Sequence, residues 1–274
     1  MTAHSAICLH AERLHDERVW RRVAAALDAL DGAGVKITFL VYPMRAVAAG
    51  RDVRARVREI AARGHEVGQH THFYVGGVTE RPHKRTDLSD RNVRECIARD
   101  RAWLAECGVE PKGFCGGNFM MTEAAFEALA EAGFDYDCSA RLPWERDGFE
   151  SPHPWMEGAQ VRTFGTRTLV LLPNTEYLTL AQLLHPLRRR RRAHLSDGSF
   201  YQLLMNHDYD LLRWKVWRGL LAQLRRGGKT RTARRLAELC LAHGEENSPD
   251  GDESARGDEG SHNGGGSSSN GDGR

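Results

Sequence analysis

The sequence predicts an α/β protein, a (β/α)-barrel of about seven parallel strands over residues 1–244 with a disordered tail over residues 245–274. Three observations carry the prediction. Short apolar runs alternate with stretches of helical periodicity from the N-terminus to about residue 240, and repeated strand-then-helix units fold as a parallel sheet with right-handed crossovers. The strand-like runs are apolar along most of their length, as strands covered on both faces are. Beyond residue 244 the composition reverses: eight acidic residues stand against two arginines, Gly, Ser and Asn form runs, and almost nothing is apolar. Such a segment cannot repay the entropy of ordering it.

Taken in order, SAICLH (5–10) is the first strand. Trp20, Val23, Leu27 and Leu30 recur at helical spacing, with Gly32 and Gly34 as stops. VKITFLVY (35–42) is β-branched and aromatic, hence a strand. A basic helix over about 52–63 ends at Gly64, a residue suited to the left-handed turn that closes a helix. HEVGQHTHF (65–73) is a third strand running into a loop. The third helix follows DLSD, with Val93, Cys96, Ile97, Trp103, Leu104 and Cys107 on one face. KGFC (112–115) is the fourth strand. Thr122 caps a helix that buries Phe126 and Leu129 and stops at Gly133, and FDYDC (134–138) is the fifth strand. Residues 140–160, with Pro143, Pro152 and Pro154, read as a long loop. TLVLLP (168–173) and SFYQLLM (199–205) are two further strands. Of two late helices, one presents Trp214, Trp217, Leu221 and Leu224 on one face, the other Ala233, Leu236 and Cys240.

At 274 residues, 41% hydrophobic and 28% charged, the chain can bury a full barrel core in one domain. No run has the length of a membrane span, so no transmembrane segment is expected. The start, MTAHSAICLH, enters a strand without a basic region or cleavage site, and the six cysteines lie far apart with no CxxC. A cytoplasmic protein without disulfides is expected. The tail carries −6, which leaves +8 on residues 1–244 of a chain whose net charge is +2. Arg188 to Arg192 are consecutive. A solvated helix end or loop is the default for them; an anionic partner, such as a sugar-nucleotide or lipid phosphate or a membrane surface, is the alternative. Nothing aromatic interleaves, so nucleic acid is not an expected partner.

In parallel barrels the chemistry gathers where the strands end at their C-termini. Those ends carry His10 and Glu12, His70 and His72, Cys115 to Asn118, Asp137, and His207. Residues i and i+2 of a strand share a face, so His70 and His72 can grip one metal. With an open coordination position they suit a catalytic Zn²⁺ or similar ion. The competing reading is a polar strand end whose histidines bond backbone groups. Asn118, after Gly116 and Gly117, can contact substrate and Asp137 can orient partners, although both positions also suit plain turn chemistry. Cys8, Cys115 and Cys138 read as small core residues.

ITFLVYPMRA followed by AARGHEVGQHTH resembles the polysaccharide deacetylase (NodB-homology) family, whose members carry an ATFFV strand, a helix and then GHEIGNHT. PKGFCGGNFMMTEAAFEALAEAGFDYDCSARLP follows the order of that family's third motif, and FYQLLMNHD is similar to its last strand and histidine. The resemblance spans residues 5–243. It implies a barrel of the NodB-homology type and metal-assisted amide hydrolysis of N-acetylated sugars. One Asp and two His hold the ion, a second Asp deprotonates the attacking water, an Arg orients that Asp, and a late His protonates the leaving amine. A divalent ion lowers the pKa of water and polarises the acetyl carbonyl, and the amine, a poor leaving group, needs the acid.

The sequence departs from that pattern. Where the family has paired aspartates it has His10, Ala11, Glu12 and Arg13. Glu12 is the only carboxylate at that strand end to serve as ligand or base, with a solvated loop residue as the competing reading, and His10 falls where the base would be. Asp16 and Glu17 look like the first turn of the next helix, where acids favour the dipole. Tyr74 occupies the place of the later of the family's two histidines, four residues apart; either His72 substitutes or the site has lost a ligand. Cys115 replaces the Arg. His207 matches the general acid, with Asp208 or Asp210 setting its tautomer; its competing reading is a helix N-terminal residue beside an Asp cap.

The candidate site is therefore His70, His72 and Glu12 for a divalent metal (Zn²⁺, with Co²⁺ or Mn²⁺ as alternatives), His207 and His10 for catalysis, and Asn118, Tyr74 and Asp137 for substrate. The function expected is a metal-dependent hydrolase of non-peptide C–N bonds that N-deacylates an amino sugar or glycan precursor, with or without a phosphate. The alternative is a catalytically weakened barrel that binds a carbohydrate without turnover; different chemistry on the same scaffold is a third reading. Truncation at residue 244 should leave the melting temperature nearly unchanged, because no apolar surface is lost. A fall of several degrees in a thermal melt would show that the tail packs on the barrel.

Overall fold

The computed structural model describes residues 3–75, 86–142, 155–178, 192–195, 198–225 and 230–244. Arg188 to Arg191, residues 143–154 of the proline-rich segment and the tail 245–274 lie outside the described residues.

Seven strands fall where the sequence places them: β1 (Ala3–Ala11), β2 (Thr38–Val41), β3 (Glu66–Thr71), β4 (Gly113–Gly116), β5 (Tyr136–Asp137), β7 (Arg167–Leu171) and β10 (Phe200–His207). They run parallel in the order β7-β5-β4-β3-β2-β1-β10. Four short strands add to them. β6 (Gln160–Phe164) and β9 (Ala193–His194) pair antiparallel with β7 and β10; β8 (Glu176–Tyr177) and β11 (Thr230–Arg231) pair parallel with β10 and β1.

The expected barrel does not close among the described residues: the sheet runs from β6 at one edge to β8 at the other. The reason lies at Gly165, whose φ of +58° turns β6 directly back into β7. A hairpin of that length joins only antiparallel strands. The sheet therefore gains an antiparallel edge where another helix crossover and parallel strand would have continued the barrel. Part of the segment read as loop, Gln160 onward, is this edge strand.

The helices are α1 (Glu17–Gly32), α2 (Met44–Ala48), α3 (Arg54–Ala62), α4 (Asp90–Ala105), α5 (Glu123–Glu131), α6 (Trp214–Arg225) and α7 (Ala233–Gly244). Asp16 caps α1 by accepting from the backbone N–H of Arg18 at 2.8 Å, and Thr122 caps α5 by accepting from that of Ala125 at 3.2 Å. Gly64 (φ +77°) turns the chain after α3, as expected of a residue without a Cβ.

Alternation along the strands sorts the core into two layers. Ile7, Leu9, Phe39 and Val41 pack outward with Val23 and Leu27 of α1 and Val57 and Ile60 of α3. Ala6, Cys8, Leu40, Cys115, Tyr136 and Met205 face inward and pack with Leu236 and Cys240 of α7. The Ala233 backbone N–H donates to Thr38 Oγ1 at 2.8 Å, at the start of β2. α7 thus covers the N-terminal end of the strands, which leaves the C-terminal end for the polar residues. All six cysteines are free and buried, and no described helix is long and apolar enough to cross a membrane.

The expected face of α6 is corrected. Val216, Gly219, Leu220 and Gln223 are buried, while Trp214 is 62% exposed and Trp217, Leu221 and Leu224 are only half-buried. α6 follows a 3-10 turn, Asp208–Leu212, whose buried Leu211 joins the same core cluster as Val216 and Leu220. That docking rotates the helix so that Trp217 lies at the margin, under the Arg22 guanidinium at 4.8 Å.

Inside the barrel the Tyr136 ring lies over Gly113, and its hydroxyl donates to Glu66 Oε1 at 2.7 Å. A Cβ at Gly113 would stand 2.1 Å from Tyr136 Cζ and Oη. Gly113→Ala should therefore destabilise the protein by about 1–3 kcal/mol, the usual range for overpacking a filled core. Denaturant unfolding measures it, and an unchanged midpoint would show that Tyr136 can move aside.

Candidate metal and catalytic site

Strand register brings the candidate residues to one edge. His10 of β1 pairs with His207 of β10 on one side and with Leu40 of β2 on the other. Val41 pairs with Gln69, and His70 with Cys115. The strands therefore end level at the C-terminal mouth. His10 and Glu12 share the inward face of one strand end, as His70 and His72 share that of another.

The side chains converge on one oxygen. Glu12 Oε1 lies 3.3 Å from His70 Nε2, 3.3 Å from His72 Nε2 and 3.6 Å from His207 Nε2. Glu12 Oε2 is bound separately by Arg45 Nη1 at 2.9 Å. The Glu12 carboxylate is 5% exposed. Burial alone would raise its pKa; hydrogen bonds and positive charge from His70 and His72 hold it well below the ordinary carboxylate range.

The donor chemistry fits a divalent cation. His70 Nδ1 donates to the Cys115 carbonyl at 2.8 Å. In a neutral imidazole the other nitrogen is then a bare acceptor, and it faces a second acceptor, Glu12 Oε1. Two buried lone pairs face each other at that distance only with a proton or a cation between them. A tetrahedral Zn²⁺ with bonds of about 2.0–2.1 Å has ligand-to-ligand edges of roughly 3.3–3.4 Å, and both Glu12-to-imidazole distances match. The carbonyl that anchors His70 Nδ1 is the usual outer partner of a metal-ligating histidine. Two further groups of donors, His10–Glu12–His207 and His10–His70–Cys115, overlap the first. They describe one place, since a single carboxylate does not offset two divalent charges.

His10 is buried and stacks on His70, ring centroids 4.2 Å apart, with His207 edge-on at 5.3 Å. Burial, then the charges of His70 and His207, push its pKa well below the ordinary value. Its Nε2 has no hydrogen-bond partner among the described residues. His207 is the most open of the group, its side chain 30% exposed. Its Nδ1 lies 3.3 Å from Asp210 Oδ2, which also accepts the His207 backbone N–H at 3.1 Å. Burial works against the Asp210 charge, but these bonds hold its pKa below the usual range. Asp210, and not Asp208, is thus the partner of His207. Asp208 is fully buried and accepts the backbone N–H of Arg13 and of Tyr209, each at 2.8 Å; burial raises its pKa to about 7.

The three residues expected to touch substrate divide. Tyr74 is buried and stacks on His72 at 4.9 Å, so it backs a ligand candidate. Asn118 is exposed with φ +55°, and Phe119 follows with φ +57°. Two consecutive left-handed residues other than glycine are costly, and they set the Phe119 ring 6.0 Å from His10. Asp137 is withdrawn: it is fully buried, and its two oxygens accept from the Ser139 backbone N–H and hydroxyl at 2.8 and 2.6 Å. Asp16 and Glu17 lie at the start of α1, as expected.

The sequence reading missed Arg45, Gly117, Phe119 and Tyr209. Tyr209 stacks on His207 at 4.7 Å and carries the Arg13 guanidinium 4.7 Å above it. Arg45 and Gly117 follow the C-terminal ends of β2 and β4, so position was the available signal. Arg45 was one of 39 Lys and Arg residues, with nothing local to set it apart.

Residues 16–136 match the family model for polysaccharide deacetylases. That segment, a little under half of the chain, is similar to this family. The matched segment holds His70 and His72 but leaves out Glu12 and His207. No curated protein compared with it matches the sequence. Among solved structures it is similar to a Mycobacterium smegmatis protein assigned as a polysaccharide deacetylase, at 17% identity and a TM-score of 0.59 over 94% of this chain and 95% of that one. It is similar to Puue allantoinase at 14% identity and a TM-score of 0.59, over 90% and 91%. A Clostridium thermocellum family 4 acetyl xylan esterase, solved with a cobalt ion, is 18% identical with a TM-score of 0.51, over 86% and 91%. At these identities the likeness is one of fold.

A Cβ at Gly117 would stand 2.3 Å from His72 Cγ and Nδ1. The ring cannot retreat freely, because Tyr74 is stacked on it. Gly117→Ala should therefore turn His72 away from Glu12 and weaken divalent-metal affinity by about 10–100-fold, the usual cost of disturbing a ligand's support. Isothermal titration with Zn²⁺ measures this, and unchanged affinity would remove His72 from the ligand set.

Proposed function

We propose that this chain is a metal-dependent hydrolase of non-peptide C–N bonds that removes an acyl group from an amino sugar or glycan precursor. The observation that carries the reading is the single oxygen, Glu12 Oε1, flanked at 3.3 Å by two imidazole nitrogens, one of them on a ring whose Nδ1 is engaged by the Cys115 carbonyl. Glu12, His70 and His72 would hold the ion, which when bound supplies Lewis-acid polarisation of the acyl carbonyl and a lowered pKa for water. Zn²⁺ suits the nitrogen-rich set; Co²⁺ and Mn²⁺ are alternatives.

The chain's own residues divide the proton work. His10, held neutral by burial and with Nε2 unengaged, takes a proton from the attacking water. His207, the partly exposed imidazole with Asp210 beside its Nδ1, gives one to the leaving amine. Tyr209, Phe119 and the Asn118 loop form the rim toward a sugar ring. Free buried cysteines suit a reducing compartment such as the cytoplasm.

The non-catalytic reading rests on two observations: only one carboxylate enters the donor cluster among the described residues, and His10 is 3% exposed. A carbohydrate-binding barrel needs no more.

The deciding assay offers N-acetylated amino sugars, sugar nucleotides, short chito-oligomers and allantoin to the protein with Zn²⁺, Co²⁺ or Mn²⁺, and measures acetate or allantoin loss. Acetate release that stops with chelator and in His70→Ala is the expected outcome. His207→Ala should then lower turnover by about 10²–10⁴-fold, as for a lost general acid, with metal still bound. Glycan binding without metal and without product from any of the panel would favour the binding barrel.

A further inference from the structure

The two oxygens of Glu12 are used differently. Oε1 faces His70, His72 and His207, whereas Oε2 meets Arg45 Nη1 at 2.9 Å. A carboxylate with both oxygens free can swing onto a cation with either one or both. One whose second oxygen is held by a guanidinium has only the first to offer.

Arg45 is built into this place. Its helix, α2, leaves β2 through Tyr42 and Pro43, and the Tyr42 backbone N–H donates to the Ala11 carbonyl at 3.1 Å. That bond ties the start of the arginine's segment to the residue before Glu12. Met44 and Ala46, on either side of Arg45, are buried at 4% and 3% exposed and anchor the short helix. Arg45 itself is 23% exposed, against 88% for Arg91 in an ordinary surface pair with Glu95. Surface pairs of that kind contribute little. Removing the partner of a buried carboxylate leaves its charge uncompensated.

We infer that Arg45 is a positioning residue: by holding Glu12 Oε2 it restricts Glu12 to one-oxygen ligation and keeps a coordination position open for water and the acyl oxygen. The inference rests on the metal-site reading above. A second carboxylate oxygen on the ion would fill a position that a hydrolase needs vacant. Arg45 touches no reacting atom in this role; it acts through Glu12.

The test uses the full chain stripped with chelator and titrated with Co²⁺, whose ligand-field bands report coordination number. Wild type should show the intense bands of a four- or five-coordinate ion. X-ray absorption on the same sample should show a single carboxylate oxygen. Arg45→Met should keep Co²⁺ bound but lose band intensity as Oε2 joins the ion, and Arg45→Lys should restore much of it, because an ammonium can still hold Oε2. A purely structural arginine would change melting temperature without this loss and rescue. Cobalt bound by wild type through both Glu12 oxygens overturns the inference, even if Arg45→Met fails to fold. So does an unchanged spectrum in a folded Arg45→Met protein, and in either case the metal site itself stands. Failure of wild type to bind Co²⁺ overturns the metal-site reading, and this inference with it.

Discussion

One buried carboxylate oxygen organises the mouth of this barrel. Glu12 Oε1 is an anion removed from water, and such a charge persists only with compensating partners. The fold supplies them from three elements: His70 and His72 from the end of β3, His207 from the end of β10 and, on the other oxygen, Arg45 from α2. The remaining contacts follow from that demand. Cys115 gives up its carbonyl to orient His70, Tyr74 and Gly117 close on the two faces of His72, and Asp210 turns His207. These imidazoles have little freedom to rotate, as a site that must not reorganise during reaction requires.

The rest of the core makes that end available. α7 packs its apolar face against the inner strand residues at the N-terminal end, and Tyr136 fills the middle of the barrel over Gly113. Glu66 there is satisfied by Thr38, Tyr136 and the Arg234 backbone N–H, so it acts as a hydrogen-bonded plug despite the rise in pKa that burial causes. The buried Glu66 below the site is thus paired, while at the mouth His10 Nε2 has no hydrogen-bond partner among the described residues. The edge at β6 costs the site little, because Glu12, His70, His72 and His207 lie at the ends of β1, β3 and β10, which with β2 sit side by side within the sheet.

The departures from the resembled pattern fit one another in space. Cys115, where an arginine would be expected, is fully buried, and its thiol donates to the Cys138 carbonyl at 3.5 Å. With no second aspartate beside Glu12, an arginine at that position would have had no carboxylate to orient. The arginine in the site arrives on the other side of β3, from the β2 exit, and serves the ligand candidate instead. His10 in the vacated position is neutral and uncompensated, so the cluster keeps one negative charge in place of two. That lowers the electrostatic demand on the pocket.

What could be read from the sequence and what could not separate along the range of the forces involved. The seven main strands, the caps at Thr122 and Gly64, the place of Asp16 and Glu17 at a helix start, and the shared face of His70 and His72 were legible, because a strand's period of two and the signals at a helix end are local properties of the chain. The same periodicity put Glu12 on the face of His10. The open sheet among the described residues was not legible: the β6–β7 hairpin turns at Gly165, which lies between the segment read as loop and the strand TLVLLP. The buried face of α6 was not legible either, since Trp214 and Trp217 suit the inside by composition and the docking of Leu211 decided otherwise. Asp137 looked like Asp210 in sequence, an acid at a strand end; only packing showed that one serves Ser139 and the other His207. The division of the Glu12 oxygens between imidazoles and Arg45 was beyond the sequence altogether. Arg45 lies 33 residues away along the chain, and which of two equivalent oxygens faces which cation is set by how β1, β2 and β3 are stacked.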